Sequence, residues 1–61
     1  MKLSESQKAL VAKIKQTVSD IAAAETECLL NGSITRFHSI DGRDADRIRT
    51  LAKSHGVTLP C

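Results

Sequence analysis

Sixty-one residues with a formal charge of +2 leave room for one small domain, residues 1–61. A chain this short buries a modest share of its surface, so a disulfide, a metal or a partner chain commonly supplements its core. The hydrophobic share is 41%, but seven of those residues are alanines and Phe37 is the sole aromatic; the remaining large apolar side chains make one thin layer between helices and cannot enclose a substrate pocket of roughly 300 Å³ or more.

At the start, Met1, Lys2 and Leu3 run straight into Ser4, Glu5, Ser6 and Gln7, where a secretory signal would place an apolar stretch. The longest apolar runs, Ala9–Ala12 and Ile21–Ala24, are far too short to span a bilayer. Cys28 and Cys61 do not make a disulfide framework. The expected setting is therefore cytoplasmic and reducing, with no membrane partner.

Ser4 and Gln7 fit a capping box, in which the serine side chain accepts a backbone N–H and the glutamine reaches back. No Pro or Gly follows until Asn31-Gly32, a left-handed stop of the kind that ends helices. The pattern predicts one long helix over about residues 4–30, a rod of roughly 39 Å. Its apolar stripe is Leu3, Leu10, Ile14, Ile21 and Cys28, with Val11 and Val18 beside it. The sevenfold spacing of Ile14, Ile21 and Cys28 reads as a coiled-coil seam, interrupted by Gln7, Thr17 and Ala24. The plainer reading of the same stripe is one face of a monomeric core.

Charge order bears on pairing. Lys8, Lys13 and Lys15 precede Asp20, Glu25 and Glu27, which opposes the dipole of a single long helix. On an antiparallel copy, the basic half of one rod meets the acidic half of the other. Exposed ion pairs are individually weak, so this selects orientation more than it adds affinity. The expected arrangement is an antiparallel homodimer, with Leu3, Leu10, Val11, Ile14, Val18, Ile21, Ala24 and Cys28 as self-association residues.

Ser33–Ile40 is ambiguous: Ile34, Thr35, Phe37 and Ile40 favour an extended segment, while the steps of three among Ile34, Phe37 and Ile40 fit a helical turn. In either case Phe37 is expected to plug the core. Asp41 is a good N-cap, and Ala45, Ile48, Leu51, Ala52 and His55 recur at helical spacing. Gly56 ends that element, Val57 is placed to fold back on Ala52, and Pro60 prevents continuation. The predicted second helix, about residues 42–55, is roughly 21 Å long. The fold class is thus all-α, a helical hairpin of unequal arms. A rod of roughly 21 Å leaves the start of the longer one bare, and an uncovered apolar strip usually marks an interaction surface.

The motifs favour binding over catalysis. Cys28, His38, His55 and Cys61 lack the paired spacings that set two zinc ligands on one turn, so no metal and no cofactor is expected. No nucleophile has an adjacent base, and no Gly-rich phosphate cradle is present, so an enzyme is not expected. Arg43, Arg47, Arg49 and Lys53 form a cationic face that suits phosphates, yet Asp44 and Asp46 are spaced to pair with Arg47 and Arg49. The leading expectation is a small interaction module that binds and modulates another protein, with inhibition the expected mode, of the kind phages and mobile elements often encode. Arg36, Phe37, Arg43, Arg47, Arg49 and Lys53 are its candidate target contacts. The alternative is a nucleic-acid-binding regulator using the same arginines.

Overall fold

In the computed structural model, which describes residues 3–59, the chain forms three helices. Helix α1 spans Glu5–Thr17, α2 spans Asp20–Asn31 and α3 spans Gly42–Ser54. Among the described residues there is no strand. The all-helical class holds, and the single long rod does not.

Most of the caps form where the sequence places them. Gln7 N–H donates to the Ser4 hydroxyl at 3.2 Å, and Ser4 N–H donates to Gln7 Oε1 at 2.8 Å. Gly32 takes the left-handed conformation at φ 86°, and Ser33 N–H reaches the Cys28 carbonyl at 2.9 Å. That closes α2 with the six-residue loop of a Schellman motif. Asp41 caps α3 by accepting Asp44 N–H at 2.9 Å. At the far end Val57 N–H donates to the Ala52 carbonyl at 2.8 Å, and both side chains lie in the core. Pro60 and Cys61 fall outside the described residues.

The predicted rod breaks at Val18-Ser19. Val18 leaves helical geometry at φ −116°, ψ −81°, and Ser19 is extended at φ −170°, ψ 165°. The physical cause is local. Thr17 and Val18 are β-branched and weak helix formers. Ser19 then offers a side-chain cap, accepting Ala22 N–H at 3.1 Å, with Asp20 in the favourable first turn. Ser19→Ala is expected to lower stability by about 1 kcal/mol, read as a lower midpoint in urea with an unchanged slope. An unchanged midpoint would show that the break does not depend on this cap.

Breaking the rod resolves the mismatch in arm lengths. Thirteen, twelve and thirteen residues give rods of roughly 20, 18 and 20 Å. They cover one another, and the longest extent of the described backbone is 26 Å, shorter than the expected rod. Leu10, Ile14 and Ile48 are fully buried at the centre, with Ala22, Ala23, Leu30, Ala52 and Val57 around them. Ala22 and Ala23 do allow a helix to approach closely, but the helix is the chain's own α1. Thr26 is buried among these apolar groups, and its hydroxyl donates to the Ala22 carbonyl at 2.8 Å, so no polar group is stranded there.

The charge order also acquires a different meaning. Lys15 falls in the last turn of α1 and Asp20 in the first turn of α2. Each now complements the dipole of its own helix, whereas in the middle of a single rod neither would have stood near a helix end.

Candidate functional site

The self-association residues are scattered by the break. Leu10 and Ile14 are wholly inside the chain's own core, and Leu3, Val11 and Val18 pack against it half-buried. Cys28 is half-buried too. Only Ile21 and Ala24 face solvent, Ile21 at 58% exposure. The continuous bare edge that motivated the seam is therefore absent, because α1 turns it onto α2 and α3.

The candidate target contacts fare differently. Arg36, Arg43, Arg47, Arg49 and Lys53 are all exposed. Phe37 is half-buried and packs against the core. Burial of Ala45, Ile48 and Ala52 fixes the inner face of α3, and the helical period then turns Arg43, Arg47, Thr50 and Lys53 outward. Two of the cations are engaged within the helix. Arg49 Nη1 donates to Asp46 Oδ1 at 2.8 Å, and Arg47 stands 4.0 Å from Asp44. Arg43 and Lys53 make no ion pair among the described residues.

Beside this face an open groove of about 490 Å³ runs between the end of α1 and α3. Thr17, Val18, Asp46, Arg47, Thr50 and Leu51 line it, and its exposed lining is mostly apolar. Val18 and Leu51 supply the apolar floor, because each packs half-buried against the core and leaves its outer side uncovered. The helix break creates this floor, since Val18 sits at the corner where α1 stops. Sequence reasoning did not find the groove. The signal was present in Thr17-Val18-Ser19-Asp20, two β-branched residues followed by a cap and an acid.

The connection between α2 and α3 is neither extended nor helical but a series of bends. Glu25 organises it. One carboxylate oxygen accepts His38 N–H at 2.6 Å and the other accepts Ser39 N–H at 2.8 Å. These backbone donors, His38 foremost, hold the Glu25 carboxyl below its ordinary value against the opposing effect of desolvation. The clamp fixes the segment that carries Arg36 and Phe37.

No group of three metal-ligating side chains gathers among the described residues, and Cys61 lies outside them. Nor is any helix among them long and apolar enough to cross a membrane. Compared with known protein families, curated proteins and solved structures, the chain matches none.

Proposed function

We propose that this chain is a non-catalytic interaction module that docks onto another protein through the α1–α3 groove and modulates, most simply inhibits, that partner. The observation that carries the reading is the apolar floor of Val18 and Leu51, open to solvent beside the outward cations of α3. Protein interfaces commonly anchor on a few apolar side chains seated in a pocket, ringed by polar and charged groups. An open groove of this size admits one or two side chains of a partner, and Asp46 and Arg47 supply the charged groups of its wall.

Thr50→Trp tests the reading. Thr50 is exposed at the groove wall, and its hydroxyl donates to the Asp46 carbonyl at 3.0 Å. An indole there fills the groove without touching the core. The expected result is a circular dichroism spectrum like that of the unmodified chain together with at least tenfold weaker recovery of a bound protein from the native host. Equal recovery by the two chains would remove the groove from the reading.

A nucleic-acid reading draws on Arg43 and Lys53, the two cations of α3 that make no ion pair among the described residues. It predicts binding that falls steeply with salt as phosphate contacts are lost. A gel shift repeated across a salt series, with nuclease treatment of the recovered material, separates it from protein docking.

A further inference from the structure

We propose that Asn31-Gly32, the stop of α2, is a site of spontaneous covalent modification in the folded chain, and that the modification loosens the connection to α3. The site lies apart from the groove and stands independently of the docking reading.

Asn31 is the sole asparagine of the chain, and a glycine follows it. The side-chain amide of an asparagine is open to attack by the main-chain nitrogen of the next residue, which closes a five-membered imide. A glycine in that place hinders the approach least, because it has no side chain. The new bond joins Gly32 N to Asn31 Cγ. The Cγ–Nδ2 bond breaks, and Nδ2 leaves as ammonia with the proton that Gly32 N gives up. One water then opens the ring. Opening at Cγ leaves an ordinary aspartyl residue, and opening at the main-chain carbonyl leaves an isoaspartyl link with an extra methylene in the backbone. Water is the only co-reactant.

The fold presents these groups to solvent. Gly32 is exposed, with nothing within 4 Å of where a side chain would stand, so water has access to the ring. Asn31 Oδ1 accepts Ser33 N–H at 2.9 Å. A donor on that oxygen polarises the amide carbon and meets the charge that grows on the oxygen as the ring closes. The restraint is the hydrogen bond of the attacking group. Gly32 N–H points back to the Leu29 carbonyl at 3.4 Å, longer than the usual range for such a bond. Asn31 is the last residue of α2, so only the terminal turn has to open to bring Gly32 N onto Cγ.

The product is unfavourable where it forms. Its new carboxylate lies at the negative end of the α2 dipole, and α2 has no basic residue in its last turn to offset it. An added methylene also shifts Ser33 out of the register in which its N–H reaches the Cys28 carbonyl. The segment loosened is the one that carries Arg36 and Phe37, which Glu25 ties at its far end.

Intact mass of the full chain, held at 37 °C and pH 8 over a series of urea concentrations, tests this. Because asparagine occurs once, the mass change from amide to acid reports Asn31 directly. Below the unfolding transition the rate of amide loss is expected to be independent of urea. It should also be at least about tenfold above what the unfolded fraction alone supports, as local opening of one turn requires. A rate that tracks the unfolded fraction, or no loss, overturns the proposal. So does equally fast loss from Asn31→Gln, whose longer side chain has to close a six-membered ring. The converted chain carries an extra negative charge and separates from its parent by ion exchange. Its urea midpoint should lie below that of the parent, and an equal midpoint would overturn the loosening of the connection.

Discussion

Ile14→Asp is expected to unfold the chain. A domain of this length has a total stability of roughly 3–9 kcal/mol. Ile14 is fully buried in the centre of the core beside Leu10 and Ile48. Truncating such a side chain alone costs about 2–5 kcal/mol, and an unpaired carboxylate there adds several more. The sum meets or exceeds what the fold has available. Far-UV circular dichroism at 25 °C should show a largely unstructured chain, while Ile21→Asp, seven residues on, should remain helical. A cooperative melt for Ile14→Asp within a few degrees of the unmodified chain would contradict the burial, and with it the helix break that turns Ile14 inward.

The second large effect belongs to Glu25. Glu25→Ala removes both acceptors from the His38 and Ser39 N–H groups and frees the connection between α2 and α3. Hydrogen bonds to a charged group contribute about 1.5–3 kcal/mol each, but these are open to water, so together about 2 kcal/mol is expected once screening is allowed for. The effect must depend on pH. The folded carboxyl titrates below its ordinary value of 4.5. Its contribution is therefore fully present above about 4.5 and is lost as pH falls through the lower folded value. Urea midpoints of the two chains should differ most near neutrality and converge as pH drops toward 3. The two chains differ only at this carboxylate, so the difference between them isolates it. A constant gap down to that pH would mean that the carboxylate is not what holds the connection.

The parts of this fold governed by neighbours in sequence were readable from it. The Ser4–Gln7 box, the Gly32 stop, the Asp41 cap and the Gly56-Val57 ending are each set by residues three to five positions apart, and each formed. So did the local pairs of Asp44 with Arg47 and Asp46 with Arg49. The break at Val18-Ser19 was hidden by the apolar period, which runs from Ile14 to Ile21 as if one helix continued. Periodicity reports which residues are apolar at helical steps; it does not report that two of those steps belong to different helices. The cap at Ser19 held the contrary signal, but without a glycine or proline it weighs less than the stripe. The groove followed the break and was hidden with it. The Glu25 clamp spans thirteen and fourteen residues, a separation at which no local rule applies.

The short corner between α1 and α2 has a kinetic consequence. Loop closure costs least when few residues intervene, and proteins built from sequence-local contacts fold fastest. Only Val18 and Ser19 separate the first two helices, so this pair can zip together almost as soon as its turns are wound. Helix α3 arrives across the longer Gly32–Asp41 segment and is therefore the last piece to settle. By the same reasoning, closure of that segment is expected to limit the rate at which the wall of the groove is put in place.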